Sequence, residues 1–210
     1  HEAPANCKQA GGQRGYAKLG SPYMTQSSYD LPTARVEVYS TFLRIRGTMR
    51  IQPPLRLSDE VNRLVDYLQL EDTTTEPLMS TYPVVSAQES NTTIAKSAVV
   101  MVTAESGPPQ HNPMMWKEKI RHQVVLNTTA FALAADVHLE PRVSLALHLE
   151  RNPREFLSVT RVSAVVVASL SGGPEGKPQT LQRDFALVNP ANIVSFSVRE
   201  SQQSEAGPQR

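Results

Sequence analysis

Three basic side chains that could contact phosphates or acidic groups lie in one short stretch of the chain. Arg44, Arg46 and Arg50 stand at even spacing, and alternate residues of a β-strand share one face of the sheet. One hypothesis is therefore a basic stripe that binds nucleic-acid phosphates or an acidic partner. The alternative, which we favour, is an ordinary solvated face whose charges also protect the strand from mispairing.

A second polar group, Asp59 and Asn62, follows the stretch that carries these arginines. The two side chains could form a recognition loop for a ligand. The alternative, which we favour, places them in the first turn of a short helix. Ser58 is then the N-cap, and the acidic residues after it face the positive end of the helix dipole.

No catalytic or metal-binding site is predicted. The five histidines show no metal-ligand spacing on a single element. The chain has no G-x-S-x-G motif, and its single cysteine, Cys7, lies in a segment where nothing could activate it. We therefore expect a protein that is not an enzyme and that uses neither a cofactor nor a metal.

Composition narrows the class of partner. The 210 residues are 40% hydrophobic and 20% charged, with a formal net charge of +1, which is typical of a globular protein. Residues 35–105 carry seven basic and nine acidic side chains, and residues 122–200 carry seven of each. Neither stretch has the basic excess of a strong phosphate binder. We expect a protein partner or a homo-oligomer, and at most weak binding to nucleic acid.

The sequence predicts a cytoplasmic protein that does not bind a membrane. The apolar run at residues 164–168 has the length of a strand, and no apolar run approaches the length of a membrane span. The first residues lack the charged start and the apolar stretch of a secretory signal. A single cysteine cannot form an internal disulfide, which favours a reducing compartment.

Period-two patterns predict strands on both sides of a bend near residues 40–42. Val36 and Val38 alternate with a glutamate, and residues 43–51 alternate between apolar and polar side chains. Gly47 stands on the apolar phase of this alternation. A glycine at such a position predicts a bulge or a close approach of two backbones.

A short helix and further strands are predicted to follow. Two prolines after residue 52 end the second strand, and apolar residues at helical spacing predict a helix within residues 57–68. Residues 68–70 return to alternation. Residues 86–93 are polar and are predicted to form a loop, and residues 99–102 are predicted to form a final buried strand.

Composition also sets the domain boundaries. Residues 1–34 are poor in large aliphatic side chains and rich in Gly, Gln, Ser and Pro, which predicts disorder. Met24 resembles a natural start, so it stays open whether residues 1–23 belong to the native protein. The predicted segments are a disordered stretch 1–34, a first β unit 35–105, a linker 106–121, a second β unit 122–200 and a loose tail 201–210.

The two β units are predicted to be diverged copies of one another. A shift of 88 positions places Val36 on Val124, and it keeps the apolar phase and one proline of the following stretch. With small insertions, residues 67–70 match 156–159, and residues 94–102 match 188–196. Both copies are therefore expected to bury equivalent faces. The alternative is two unrelated stretches that share ordinary strand patterning.

The second copy differs from the first at the positions of the three arginines. It carries Ala132, Ala134 and His138 there. Small apolar residues on a face that should point outward predict contact with another surface, either the first copy or a second chain.

The first copy resembles an Sm-like barrel. Val36-Glu-Val38 and Arg44-Ile-Arg-Gly-Thr-Met49 are similar to the V-x-V and G-x-L strands that open this fold, and Leu68-Gln-Leu-Glu-Asp72 is similar to its L-x-L-x-D strand. Residues 95–102 and 189–196 are similar to its closing strand. The resemblance implies a mainly β fold of two tandem small Sm-like β-barrel units, each with at most one short helix, plus disordered termini.

The chain is also similar to an uncharacterised bacterial family of small β-rich proteins with R-L-S-D-x-x-N after the second strand, here residues 56–62. Sm-like proteins contact RNA bases through a D-x-x-x-N loop, whereas Asp59 and Asn62 are one residue closer together, and the second copy has Leu147 in place of Asp59. Sm-like units commonly assemble edge to edge. The function expected is a non-enzymatic interaction module that binds proteins or self-assembles. The alternative is a weak RNA- or DNA-binding regulator of Sm-like type.

Overall fold

The computed structural model describes residues 31–63, 66–79, 86–106, 118–167 and 179–199. Within these residues the chain forms ten antiparallel strands in one sheet and two short α-helices, which confirms the mainly β class. This sheet is open, so the two closed barrels predicted from the sequence are not shown. Residues 1–30 and 201–210, where disorder is predicted, lie outside the described part of the chain.

The first and second halves of the described chain each contribute five strands to the sheet and one α-helix. The first half consists of β1 (Thr33–Tyr39), β2 (Leu43–Arg50), α1 (Leu57–Arg63), β3 (Tyr67–Pro77), β4 (Ala87–Ala95) and β5 (Met101–Ser106). The second half consists of β6 (Ile120–Thr128), β7 (Phe131–Leu139), α2 (Leu145–Arg151), β8 (Leu157–Val166), β9 (Thr180–Val188) and β10 (Ile193–Arg199). A 3-10 turn precedes β5 at Lys96–Ala98 and β10 at Pro190–Asn192.

The strand order explains why neither half closes into a barrel. The order is β10-β6-β7-β8-β9-β5-β1-β2-β3-β4. In the first half, β5 pairs with β1 on one side and with β9 of the second half on the other. Because β5 uses its second edge to join the halves, it does not pair with β4 of its own half. Among the described strands, β10 and β4 are left as the two edges of the sheet.

Three predicted boundaries are wrong. Residues 86–93, predicted as a loop, lie mostly in β4, which pairs with β3 from Tyr67↔Ala95 to Thr75↔Ala87. The strand was missed because it is an edge strand with almost fully exposed side chains, so it lacks an apolar alternation. Helix α1 ends at Arg63 rather than near residue 68. Strand β1 begins at Thr33, inside the segment predicted to be disordered.

The two halves pair their strands in the same way. Val36 lies opposite Gly47 in the first half, and Val124 lies opposite Ala135 in the second. The register shifts between Arg46 and Thr48 against β3, and between Ala134 and Asp136 against β8. A residue with positive φ follows at corresponding places, Asp72 in β3 and Arg161 in β8. The two halves thus share their pattern of strand pairing and register shifts.

The predicted close approach at Gly47 is confirmed. A Cβ atom on this residue would lie 2.8 Å from the Thr73 methyl carbon and 3.0 Å from the Glu71 carbonyl oxygen. Both distances are shorter than a normal contact. A residue with a Cβ atom would therefore fit between β2 and β3 only if a neighbouring group moved.

The apolar core consists of two clusters, and each contains residues of both halves. The first-half cluster includes Val36, Met49 and Leu68, and it is completed by Phe156 and Leu187 from the second half. The second-half cluster takes in Tyr39 and Met101 of the first half, among others. The ring of Tyr39 meets the ring of Phe131 edge to face, with centroids 5.4 Å apart. Separating the halves would therefore expose core side chains of both.

Candidate functional site

The predicted arginine stripe lies on one face of β2, but each of its guanidinium groups is paired with a carboxylate. Arg46 Nε lies 2.9 Å from Glu37 Oε1 and 3.5 Å from Glu105 Oε1. Arg50 Nε lies 2.7 Å from Glu71 Oε1, and Arg44 pairs with Glu76. The side chain of Glu37 is almost fully buried. The stripe is thus a row of ion pairs in which acidic partners offset the positive charge.

Asp59 and Asn62 do not act on a common site in the structure. The Asp59 carboxylate accepts a hydrogen bond from the backbone N–H of Arg56 at 3.0 Å, which caps the start of α1. Asn62 Oδ1 accepts from the backbone N–H of Phe156 in the second half at 2.8 Å. One residue therefore stabilises the helix and the other joins the halves, and Ser58 lies within the first helical turn rather than before it.

Ala132, Ala134 and His138 lie on β7 at the positions that match the arginines. Ala132 is half-buried, and Ala134 and His138 are exposed. The Nε2 atom of His138 lies 3.0 Å from the Thr160 hydroxyl. The contact predicted for this face stays a prediction.

A buried ionic cluster around Glu37 joins the two halves. The Glu37 carboxylate is 1% exposed and accepts hydrogen bonds from the Tyr39 hydroxyl at 2.6 Å, from Arg46, and from Arg183 of β9. Burial alone would raise the pKa of this carboxyl, but hydrogen bonds from Tyr39, Arg183 and Arg46 outweigh it and lower the pKa from 4.5 to about 2. Burial and the neighbouring carboxylate raise the pKa of Tyr39.

Sequence reasoning missed this cluster because Glu37 falls on the polar phase of its strand, where a solvated side chain is expected. The signal lay in the cross-strand pair of Glu37 and Arg46. Its partner Arg183 could not be found, because it lies 146 positions away along the chain.

The backbone contact between the halves is short and well protected. Strands β5 and β9 pair at Met101↔Val188, Val102↔Leu187 and Thr103↔Ala186, and all six residues are buried.

Two asparagine side chains and one aromatic ring flank this pairing. Asn189 Nδ2 donates to the carbonyl oxygens of Lys96 at 3.0 Å and Val99 at 2.9 Å, and Asn192 Nδ2 donates to Val99 at 2.8 Å. Phe156 is 4% exposed, and its ring centroid lies 5.5 Å from the Lys96 ammonium group. The junction between the halves therefore combines strand pairing, polar clamps and an aromatic contact.

The outer edge of β10 lacks such protection. Val194, Phe196 and Val198 are 72%, 39% and 43% exposed. Phe196 pairs with Leu126 of β6 as Val102 pairs with Val38 of β1, so β10 corresponds to β5. In β5 the matching side chain of Val102 is fully buried. Among the described strands, β10 is therefore an apolar edge strand without the neighbour that covers its counterpart.

The opposite edge of the sheet is the counterpart of β9. Strand β4 pairs with β3 as β9 pairs with β8, so that Ile94 opposite Leu68 matches Val188 opposite Leu157. Tyr67, at the start of β3, matches Phe156 but is 57% exposed. An exposed ring thus lies on the edge strand β10 and another lies beside the edge strand β4, and the matching side chain of each is buried at the internal junction.

A groove of about 430 Å³ lies beside α1 and strands β2 to β4. Its charged lining residues include Glu60 and Arg63, which pair with each other, and Arg50 and Glu71, which do the same. The described residues contain no group of three or more His, Cys, Asp or Glu side chains arranged to hold a metal ion. No helix in this part of the chain has the length and apolarity needed to cross a membrane.

Comparison of the chain with family models, with curated proteins and with solved structures found no match of any kind.

Proposed function

We propose that this chain is a non-enzymatic interaction module that self-assembles through the β10 edge of its sheet. The observation that carries the proposal is the row of exposed apolar side chains on β10, whose counterparts in β5 are buried against a neighbouring strand. Strand β5 lies between two neighbouring strands, whereas β10 has a neighbour on one side only. The free side of β10 can therefore pair with a strand of another chain.

Strand edges are general sites of association, because their unpaired N–H and C=O groups can bond to another chain. Edge strands of monomeric proteins commonly carry charges that prevent this. Strand β10 carries one charged residue, Arg199, at its end, and three apolar side chains on one face. Its composition therefore favours association.

The matching pairing of the halves supports the interpretation of the chain as tandem copies of one unit. The strand order β5-β1-β2-β3-β4 recurs as β10-β6-β7-β8-β9, and it is consistent with the Sm-like resemblance as a proposal about fold ancestry. Cytoplasmic location is likewise a proposal.

Weak binding of RNA or DNA has less support. It would use Arg44, Arg46 and Arg50, and each of these side chains is paired with a carboxylate. Breaking those pairs to contact phosphates would leave Glu71 and Glu76 without their arginines and would take one of two arginines from the buried Glu37.

Sedimentation velocity of the full chain tests self-assembly. We expect the weight-average mass of the wild type to rise between about 1 μM and about 1 mM, and Phe196→Lys to remain monomeric over this range, because a lysine cannot be buried in the apolar contact. Val167→Lys is the matched control, since Val167 is also 39% exposed but lies directly after β8, away from β10. A wild type that stays monomeric throughout would contradict the proposal.

A further inference from the structure

We propose that the partner of β10 is the β4 edge of a second copy of this chain. The two strands run antiparallel, with Ser195, Phe196 and Ser197 of one copy opposite Ile94, Thr93 and Thr92 of the other. This inference rests on the proposed self-assembly and specifies which surface of the second copy is used.

The internal junction supplies the template for this register. Strand β5 pairs with β9 at Met101↔Val188, and the next two pairs follow in antiparallel order. The counterpart of Met101 is Ser195, because each stands in the same relation to β1 or β6 and follows a 3-10 turn by the same number of residues. The counterpart of Val188 is Ile94. Replacing each strand by its counterpart gives the proposed pairing.

Both free edges show what this contact would cover. On the β10 side, Phe196 is 39% exposed, and its counterpart Val102 is fully buried. On the β4 side, Tyr67 is 57% exposed, and its counterpart Phe156 is 4% exposed. A single head-to-tail contact would cover both exposed rings. A symmetric contact between two β10 edges would leave Tyr67 exposed.

The cores of the two halves support the same conclusion. Phe156 and Leu187 reach across the internal junction and complete the core of the first half. The matching residues are Tyr67 at the start of β3 and Thr93 in the edge strand β4, and both are exposed. In the proposed contact they lie against the open side of the second-half core of the neighbouring copy.

The contact between copies lacks the polar clamps of the internal junction. Asn189 and Asn192, which bond to backbone carbonyls inside the chain, are matched by Ala95 and Ala98 on the β4 side. These two hydrogen-bonding side chains therefore have no counterpart between copies.

The buried ion pair is likewise confined to the interior. Glu37 is matched by Val125 and Arg183 by Glu89, so this ion pair has no counterpart between copies. The contact between copies is thus weaker than the internal junction and reversible, and the polar groups keep β9 on the β5 of its own chain.

A contact that joins unlike edges leaves one free edge at each end of the pair. Further copies can then add in the same way, and the assembly closes into a ring if the rotation per copy permits it or grows as a filament if it does not.

Mixing two edge variants tests the assignment. Phe196→Lys blocks the β10 edge and Tyr67→Lys blocks the β4 edge, so each chain alone is expected to be monomeric. An equimolar mixture is expected to form a complex with the mass of two chains and nothing larger, because one intact β10 edge meets one intact β4 edge. Circular dichroism of each variant verifies that it has folded.

The other outcomes are distinguishable. Self-association of the Tyr67→Lys chain alone would show that β10 pairs with itself or with another surface, which overturns the β4 assignment and leaves self-assembly intact. A mixture that stays monomeric while the wild type assembles also overturns the assignment. A wild type that is monomeric at all concentrations removes both proposals.

Disulfide trapping tests the register. In a Cys7→Ser background, a chain with Ser197→Cys is mixed with a chain carrying Thr92→Cys, which places the two thiols directly opposite, within the separation that a disulfide spans. The matched control pairs Ser197→Cys with Ser90→Cys, two residues along the same face and about 7 Å away. We expect a mixed disulfide with position 92 and little with position 90. Equal trapping at both positions, or none at either, overturns the register.

Discussion

The ion pairs of Glu37 predict how the stability of the fold depends on pH. The carboxyl has a pKa of about 2 in the folded chain, against an ordinary value of 4.5. Because the folded pKa is the lower one, the stabilisation is fully present above about pH 4.5 and is lost as the pH falls towards 2. The gap between the two values, converted at about 1.4 kcal/mol per pKa unit, corresponds to about 3 kcal/mol.

The assay compares the wild type with Glu37→Gln by urea unfolding at several pH values. Glutamine keeps the size of the side chain but not its charge, so it removes the part of the stability that titrates. We expect the difference in unfolding free energy between the two proteins to be largest at pH 7 and to shrink by about 3 kcal/mol between pH 4.5 and pH 2. The pKa values of Glu76 and Asp136 are also lowered by paired arginines, so these carboxyls contribute to the pH dependence of the wild type as well. The difference between wild type and Glu37→Gln isolates the contribution of Glu37.

Glu150→Gln is the matched control, because Glu150 is an exposed glutamate on α2 and lies outside the proposed contact. Its substitution should leave the pH dependence of stability close to that of the wild type. A difference between wild type and Glu37→Gln that stays constant from pH 7 to pH 3 would refute the assignment of the ion pairs to Glu37.

Three further predictions concern Gly47, Asn189 and the arginine stripe. Gly47→Ala should lower the unfolding free energy by about 1–3 kcal/mol, measured by urea unfolding, because the new methyl group meets the β3 backbone; an unchanged stability would contradict the close approach. Asn189→Ala should lower it by about 2 kcal/mol, because the carbonyls of Lys96 and Val99 each lose one of two hydrogen bonds and the backbone N–H of Ala191 loses the Asn189 acceptor, whereas Asn127→Ala at an exposed pair should change it by less than about 0.5 kcal/mol; equal effects would contradict the role of the clamp. Replacing Arg44, Arg46 and Arg50 together by alanine should not reduce the binding of single-stranded nucleic acid at low salt, measured by fluorescence anisotropy. A salt-dependent loss of binding in this variant would favour the alternative function.

The sequence predicts those parts of the fold in which burial alternates with strand period. Val36 and Val124 are buried at equivalent places, as the shared apolar phase indicates, and the short helix and the tight glycine were both predicted. Strand β4 was missed because its side chains face solvent, so its backbone pairing with β3 leaves no trace in its pattern.

The candidate site was harder to predict because it depends on which strands meet across the sheet. The sequence of β10 has the apolar pattern of a buried strand. Only the strand order shows that β10 lies at an edge, where its side chains are exposed. The partners of Glu37 and Asn62 are likewise distant along the chain. The position of Ala134 predicts an interface on the outward face of β7. The apolar surface that supports the proposal lies on β10 instead.

Hydrogen exchange of the β10 backbone amides tests the central claim most directly. Residues 193–199 pair with β6 on one side, and the proposed contact adds a strand on the other. At a concentration where the chain assembles, the outward-facing amides of this strand should exchange more slowly than in the monomeric Phe196→Lys chain. Equal exchange in the assembled and monomeric samples would show that β10 remains an open edge and would contradict the account.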